Sequence, residues 1–219
     1  MTEAFMQEKF KKVLNLRIIP VVAIHDAGHA DNLADALIEG GLPCAEITFR
    51  TDAAARAIKK IAARAEMIVG AGTVLEIEQV KQAVDCGACF IVSPGFSPRI
   101  VQYCLENDIP VTPGISTPTD IQIAFESGLE IVKFFPAEAF GGLKTLQAVS
   151  APYQMMRFVP TGGIGPHNVL EYLKHPKVPA CGGSWMVKSD LISNRRFDEI
   201  TRLSREAMEL AKKAGEASV

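Results

Sequence analysis

The chain lacks the features that mark nucleic-acid-binding, membrane and secreted proteins. Its 219 residues carry 23 basic and 25 acidic side chains, a net charge of −2, and no basic stretch that would hold a phosphate backbone. Nucleic acid is therefore not expected as a partner. No apolar run approaches the roughly 20 residues that cross a bilayer, and the segment from Met1 to Glu8 lacks the basic start and apolar middle of a signal peptide. We expect a cytoplasmic protein with no membrane partner.

The patterns of disulfide and metal sites are also scarce. Five cysteines form an odd set spread along the chain, which favours reduced thiols and agrees with the cytoplasm. Cys86 and Cys89 have C-x-x-C spacing, but Gly87 is typical of a helix end and Cys89 opens the next apolar run, so the thiols belong to different elements. Among the four histidines, His25 and His29 have H-x-x-x-H spacing, but no carboxylate cluster with ligand spacing lies near them. The sequence therefore indicates no protein metal site.

Apolar runs alternate with segments of helical periodicity along the whole chain. A hydrophobic content of 48 % is enough for one core, so residues 1–219 are expected to form a single domain. The predicted strands are Arg17–Ala23, Cys44–Phe49, Met67–Ala71, Cys89–Val92, Pro110–Pro113, Glu130–Phe134, Arg157–Pro160 and Val178–Cys181. The predicted helices are Ala30–Glu39, Ala53–Ala65, Glu76–Asp85, Arg99–Glu106, Asp120–Glu126, Leu143–Ser150, Pro166–Leu173 and Arg196–Lys213.

Eight such pairs predict an α/β fold, a (β/α)8 TIM barrel. The strands are continuous apolar runs, as in parallel sheets that are buried on both faces. Glycine after a helical segment, as at Gly87 and Gly128, indicates a helix end. Proline after a capping residue, at Pro98, Pro118 and Pro166, indicates a helix start. The segment Glu3–Leu14 is expected to be an extra N-terminal helix covering the barrel bottom, and an open doubly wound sheet is the alternative fold.

Lys133 is the residue that most directly indicates a chemistry. It lies in the apolar run Ile131-Val132-Lys133-Phe134-Phe135 of the sixth predicted strand. Side chains alternate across a strand, so Lys133 is expected to point into the barrel with Ile131 and Phe135. Burial disfavours the ammonium form, and the free amine is the species that attacks a carbonyl to form an imine. The alternative is a lysine at the strand end that reaches solvent.

The second strand ends in polar residues on a single face, Glu46, Thr48 and Arg50. In a barrel of this kind, catalytic groups lie at the C-terminal ends of the strands. A carboxylate can move protons during imine formation, and a guanidinium can hold a substrate carboxylate by paired hydrogen bonds. The alternative for Glu46 and Arg50 is an ordinary salt bridge at a strand end.

The last two strands are followed by glycine-rich turns, Thr161-Gly162-Gly163-Ile164-Gly165-Pro166 and Gly182-Gly183-Ser184-Trp185. Glycine exposes backbone N–H groups, and a helix that starts near Pro166 would add its dipole. The turns therefore predict a site for a phosphate monoester, with Ser184 as a hydroxyl donor. The alternative is that the glycines only permit tight turns.

Seven motifs at these strand ends resemble the 2-keto-3-deoxy-6-phosphogluconate aldolase family. The resemblance runs in order from about Arg17 to Trp185. The motifs are Glu46-Ile47-Thr48-Phe49-Arg50-Thr51, Val69-Gly70-Ala71-Gly72-Thr73-Val74, Ser93-Pro94-Gly95, Pro113-Gly114-Ile115-Ser116-Thr117, Val132-Lys133-Phe134-Phe135-Pro136-Ala137-Glu138, Pro160-Thr161-Gly162-Gly163-Ile164 and Gly182-Gly183-Ser184-Trp185. The tract from His25 to His29 after the first strand does not match and could alter preference at the distal end of the substrate.

The resemblance implies a class I aldolase that cleaves a phosphorylated keto acid, 2-keto-3-deoxy-6-phosphogluconate, to pyruvate and glyceraldehyde 3-phosphate in the Entner–Doudoroff pathway. It implies that Lys133 forms the imine and Glu46 is the general acid/base. Substrate-binding roles are implied for Arg50 and Thr73 at the carboxylate, Pro94 and Phe135 as walls, and Thr161, Gly162, Gly163, Gly183 and Ser184 towards the phosphate. It further implies a homotrimer that uses no metal or other cofactor.

Other functions remain open at this stage. The substrate could instead be 4-hydroxy-2-oxoglutarate or 2-keto-3-deoxy-6-phosphogalactonate. A phosphosugar isomerase or epimerase could use the same barrel without an essential amine, because the fold alone does not determine the reaction. A metal-dependent class II aldolase and a non-catalytic barrel that binds a phosphorylated ligand are the remaining alternatives.

Overall fold

Eight parallel strands form the sheet of this protein in a computed structural model that describes residues 3–216. The strands are β1 Ile18–Val22, β2 Cys44–Thr48, β3 Ile68–Gly72, β4 Ile91–Ser93, β5 Val111–Ile115, β6 Ile131–Phe134, β7 Arg157–Pro160 and β8 Cys181–Gly183. Strands β1 to β7 pair in sequence order, and β8 pairs with β1. A parallel bridge between Thr161 and Gly182 joins the remaining two edges. The sheet is therefore a barrel, and the TIM-barrel prediction is confirmed.

Helices connect the strands and surround the barrel. They are α1 Glu3–Asn15, α2 Ala30–Glu39, α3 Ala54–Ala62, α4 Ile77–Asp85, α5 Pro98–Glu106, α6 Pro118–Glu126, α7 Gly142–Ser150, α8 Val169–Leu173, α9 Ser189–Ser193 and α10 Phe197–Glu216. Single 3-10 turns precede α2 and α7, at Ala27–His29 and Glu138–Phe140. The two 3-10 turns and α9 were not predicted from the sequence.

Several helix ends follow the predicted local chemistry. Ser97 and Thr117 cap the helices that begin with Pro98 and Pro118, and proline fits there because the first helical N–H needs no partner. Gly87 and Gly128 follow α4 and α6 with φ of +98° and +81°, a conformation that favours glycine. These signals place the turns that lead into β4 and β6.

The N-terminal helix covers the bottom of the barrel, as predicted. Residues of α1 line a groove together with Pro110, Glu130 and Arg157, which lie at or just before the N-terminal ends of β5, β6 and β7. Phe10 enters the barrel itself, where its ring centroid lies 5.4 Å from that of Phe90. A side chain at Gly70 would approach the Phe90 ring to 2.3 Å, so this glycine makes room for the aromatic contact. The lower end of the barrel is therefore filled by side chains.

The predicted bounds of β8 are wrong. Its strand runs over Cys181–Gly183 rather than Val178–Cys181, so Gly182 and Gly183 are strand residues and not part of a turn. They pair with Ile19 and Pro20 of β1. At the closing bridge, a side chain on Gly182 would lie 2.4 Å from Thr161 Oγ1. Glycine is used there because the strands approach closely.

The predicted start of α8 at Pro166 is also wrong. The helix begins at Val169 and has five residues. Asn168 accepts a hydrogen bond from the Gly165 N–H at 2.9 Å and donates one to the Gly163 carbonyl at 3.1 Å. These bonds hold the preceding residues in a turn. The helix dipole expected at Pro166 is therefore not available there.

Candidate active site

Two charged side chains meet inside the barrel, Lys133 on β6 and Glu46 on β2. Only 5 % of Lys133 and 3 % of Glu46 is exposed, and Lys133 Nζ lies 3.4 Å from Glu46 Oε1. The two strands are four positions apart in the eight-strand order, so the side chains reach across the barrel from opposite walls. Residues separated by 87 positions in the chain are thus brought into contact. The predicted inward orientation of Lys133 is confirmed.

The pair lies in a largely apolar cavity. Its other lining residues are Phe10, Ile19, Phe90, Val92, Thr112, Val159 and Thr161. The Phe135 ring stacks over the amine, with Lys133 Nζ 4.9 Å from the ring centroid. Since charges interact more strongly when water is excluded, the carboxylate and the amine act on each other strongly here. An amine beside a proton carrier is the arrangement that carbonyl addition and dehydration require.

Gly72 at the end of β3 sets the position of the Glu46 carboxylate. A Cβ atom at residue 72 would lie 2.1 Å from Glu46 Oε1, far inside contact distance. Gly72 pairs directly with Thr48 on β2. The absence of a side chain on β3 therefore creates the space that Glu46 occupies.

The remaining polar residues of β2 lie nearer to solvent. The Thr48 hydroxyl is buried and donates to the Val22 carbonyl of β1 at 2.8 Å. Arg50 lies two residues beyond, where its side chain is exposed and its Nε donates to Thr48 Oγ1 at 3.1 Å. Arg50 is therefore at the mouth of the barrel, above the Lys133–Glu46 pair.

Thr73 and Pro94 follow β3 and β4 at the same end of the barrel, and both are half-buried. Thr73 adopts a φ of +55°, which is uncommon for a residue with a branched side chain. A side chain at Gly114 on β5 would lie 2.1 Å from the Pro94 carbonyl oxygen. Gly114 pairs with Lys133 in the sheet. The loop carrying Pro94 thus approaches the strand beside the lysine.

The glycine-rich segments lie where β7 and β8 close the barrel. Thr161 is buried and lines the cavity with Lys133, whereas Gly162 and Gly163 continue towards solvent with φ of +96° and +79°. Gly183 ends β8, and Ser184 follows it with an exposed side chain. The sequence-predicted residues therefore occupy the strand ends at one mouth, with Lys133, Glu46 and Thr161 together in its interior.

Thr112 is a cavity residue that the sequence analysis missed. Its hydroxyl is buried and has no hydrogen-bond partner among residues 3–216. It lies two positions before Gly114 on β5, and therefore on the face that points to Lys133. The period-two alternation that placed Lys133 would have found Thr112 as well.

Residues 3–216 contain no candidate site for a metal ion. No group of three or more His, Cys, Asp or Glu side chains lies close enough there to hold an ion. In the same part of the chain, no helix is both long and apolar enough to cross a bilayer. All five cysteines are free thiols, and burial raises the pKa of Cys104 to about 12.

A barrel with a buried lysine and glutamate in contact is the arrangement of an imine-forming aldolase, and comparisons with known proteins agree. The family model for KDPG and KHG aldolase matches residues 9–203. The chain belongs to this family.

Individual relatives share most of their length with the chain. It is 47 % identical to the 2-dehydro-3-deoxy-phosphogluconate aldolase of Haemophilus influenzae, over 94 % of the chain and 98 % of the relative. It is 44 % identical to the KHG/KDPG aldolase of Escherichia coli K12, over 89 % and 92 %. A crystal structure of KDPG aldolase from Legionella pneumophila, with pyruvate captured as a covalent carbinolamine, aligns with a TM-score of 0.85 at 36 % identity, covering 88 % and 95 %.

Proposed function

We propose that this protein is a class I aldolase that cleaves 2-keto-3-deoxy-6-phosphogluconate to pyruvate and glyceraldehyde 3-phosphate. The observation that carries the proposal is the buried contact between Lys133 Nζ and Glu46 Oε1. The family and the carbinolamine trapped in the Legionella pneumophila relative support imine chemistry at this position.

The reaction uses the lysine as an electron sink. The neutral amine of Lys133 attacks the C2 ketone, and loss of water from the carbinolamine gives a protonated imine. Glu46 takes the proton of the C4 hydroxyl, and the C3–C4 bond breaks to release the aldehyde. The electron pair of that bond forms an enamine, which is protonated at C3 and hydrolysed to pyruvate. The iminium cation accepts the electrons, so the chain supplies this step without a metal or cofactor.

The substrate would lie along the barrel mouth from β3 to β8. Arg50 and Thr73 are assigned to the pyruvyl carboxylate, with Pro94 and Phe135 as the pocket walls. Support comes from the Phe135 ring over the amine and from the approach of the Pro94 loop to β5. Gly162, Gly163, Gly183 and Ser184 are assigned to the phosphate, with Thr161 between the two ends. This assignment is supported by their shared position beside the Thr161–Gly182 bridge, where β7 and β8 meet.

A second substrate is 4-hydroxy-2-oxoglutarate (KHG), because the matching family is that of KDPG and KHG aldolase. It has the same keto acid end and would form the same imine. Its distal group is a carboxylate in place of a phosphate ester. Competition between the two substrates for one Lys133 site is therefore expected.

Borohydride trapping tests the imine. Pyruvate and sodium borohydride should leave a reduced adduct on Lys133, located by proteolysis and mass spectrometry. The variant Lys133→Met should form no such adduct and lose aldol cleavage by about four orders of magnitude or more. Lys177→Met is the matched control, because Lys177 is half-buried and its Nζ donates hydrogen bonds to the carbonyls of Ser150 and Tyr153, away from the Lys133 site. An adduct on another lysine would overturn the assignment.

We further propose that the protein is a cytoplasmic homotrimer. The five free thiols favour a reducing compartment. Helix α6 exposes two large apolar side chains, Ile123 at 39 % and Phe125 at 42 %. Neighbouring exposed apolar residues on one helix are typical of a contact surface.

A further inference from the structure

The segment after Lys133 is hydrogen-bonded to the glycine-rich segment after β7. The Ala137 N–H donates to the Thr161 carbonyl at 2.8 Å, and the Glu138 N–H donates to the Gly162 carbonyl at 3.1 Å. These bonds continue the β6–β7 pairing beyond the ends of both strands. The backbone that carries the reactive lysine is thus tied to the backbone that carries Gly162 and Gly163.

A side-chain hydrogen bond reinforces this connection from a third element. Tyr172 on α8 is only 1 % exposed, and its hydroxyl donates to Glu138 Oε1 at 2.5 Å. Burial, together with the hydrogen bond to the carboxylate, raises the pKa of Tyr172 well above its ordinary value. The phenol therefore remains a proton donor throughout the working pH range.

The Glu138 side chain is packed between glycines. A Cβ atom at Gly163 would lie 2.5 Å from Glu138 Cβ, and one at Gly142 would lie 2.9 Å from Glu138 Oε1. Gly163 has a φ of +79°, and glycine gives the backbone more conformational freedom than any other residue. Contacts from residues outside the turn must therefore restrict the Gly163 backbone. Asn168 restrains one side of the turn, and Glu138 covers the other.

We propose that Tyr172 and Glu138 are positioning residues for the far end of the substrate. Tyr172 holds the Glu138 side chain against Gly163, and this contact fixes the turn formed by Gly162 and Gly163 relative to Lys133. The inference rests on the proposed assignment of these glycines to the substrate phosphate. Neither side chain takes part in the bond-breaking step, and the pair acts by keeping the phosphate end at a set distance from the imine.

The test begins with Tyr172→Phe, which removes the hydroxyl and retains the buried ring. The KM for the phosphorylated substrate should rise about five- to tenfold, the size expected for loss of one net hydrogen bond. The kcat should change by less than about twofold, because the lysine and Glu46 are not touched. The pyruvate concentration that half-saturates borohydride trapping should not change.

Tyr153→Phe is the matched control. The Tyr153 hydroxyl also donates a single hydrogen bond, to the Pro118 carbonyl at 3.0 Å, but it joins α6 to the loop before β7. This variant should keep the wild-type KM and kcat. An equal rise in KM for both tyrosine variants would overturn the proposal, since it would reflect general loosening of the barrel.

Substitutions of Glu138 test the proposal independently. Because this residue is exposed, its truncation should leave the fold intact even where Tyr172→Phe fails to fold. Glu138→Ala should reproduce the increase in KM. Glu138→Gln keeps an oxygen acceptor for the Tyr172 hydroxyl and should restore KM to within about twofold of wild type. A KM that falls in Glu138→Ala would show that the carboxylate only repels the phosphate, and would overturn the positioning role.

Comparison with 4-hydroxy-2-oxoglutarate separates this inference from the proposed function. If the wild-type enzyme shows no preference for the phosphorylated substrate, the assignment of the phosphate end fails. If the preference is present but Tyr172→Phe and Glu138→Ala leave it unchanged, the inference fails alone. The expected result is a smaller preference in both variants and an unchanged preference in Tyr153→Phe.

Discussion

At the scale of single residues, Glu46 and its neighbour Gly72 show how a missing side chain determines a site. A lone charge in an apolar strand made Lys133 recognisable from the sequence. The function of Gly72 could not be recognised from the sequence, because it depends on the contact between this residue of β3 and the Glu46 side chain on β2. Tyr172 was hidden for a similar reason, as its partner Glu138 lies 34 residues away. Such contacts depend on the folded register and leave no local pattern.

Replacing Gly72 with alanine should displace the Glu46 carboxylate. The new methyl group would lie 2.1 Å from Oε1 in the present geometry, so the carboxylate must rotate away from Lys133. We expect kcat to fall about tenfold or more, since misplacement of about 1 Å can have an effect of that size. Overpacking should also lower the free energy of unfolding by about 1–3 kcal/mol.

Steady-state kinetics and urea unfolding measure the two effects in Gly72→Ala. Gly215→Ala on α10 is the control, because its Cβ would meet no atom within 4 Å. It should leave kcat unchanged. Wild-type turnover in Gly72→Ala would show that the position of Glu46 does not depend on this glycine.

At the scale of elements, two of the three helix starts predicted from proline were correct, and the bounds of the closing strand were not. The pairs Ser97–Pro98 and Thr117–Pro118 start helices as predicted because the capping signal is contained in four consecutive residues. The bounds of β8 were wrong because its glycines are strand residues only by virtue of their pairing with β1. The start of α8 was wrong because hydrogen bonds of Asn168 hold Pro166 in a turn.

The cap of α6 should make a pH-dependent contribution to stability. Partial burial raises the pKa of Asp120, but hydrogen bonds from the Ser116 and Thr117 N–H groups outweigh it and leave the pKa below its usual 3.8. A depressed pKa means that the native state holds the charged form. The stabilisation is therefore complete above the unfolded-state value and is lost as the pH falls through the native value.

Urea unfolding of Asp120→Ala should show this dependence. At pH 7 the variant should be less stable than wild type by about 1 kcal/mol, as is typical for loss of a helix cap. The difference should shrink when the pH is lowered below about 4, because the aspartate of the unfolded state then becomes protonated. A difference that is the same at pH 7 and at pH 3 would contradict the assignment.

At the scale of the whole molecule, the architecture was the most predictable property. Eight alternating apolar and helical segments allow few arrangements, and the pattern survives errors of a few residues in each boundary. Assembly is harder to predict because the sequence does not show which apolar side chains remain exposed after folding. The structure of the single chain identifies two of them on α6.

Sedimentation velocity tests the proposed homotrimer. The main species should have about three times the chain mass of 23.7 kDa. Phe125→Glu should shift it towards the monomer, because a charge in an apolar contact is costly. Leu105→Glu is the control, since Leu105 is similarly exposed at 43 % but is on α5. A wild-type protein that is monomeric at micromolar concentration would contradict the proposal.

The filled lower end of the barrel also bears on the sequence of events in a catalytic cycle. Because Phe10 occupies the space beneath Lys133, molecules arrive and depart through one opening. In the proposed reaction the pyruvyl fragment is bonded to Lys133 at the inner end, so the aldehyde lies between it and solvent. The aldehyde must therefore leave first, and pyruvate in the medium competes directly with incoming substrate. The covalent bond to Lys133 sets the order of product departure, and the helix before the first strand leaves both products the same exit.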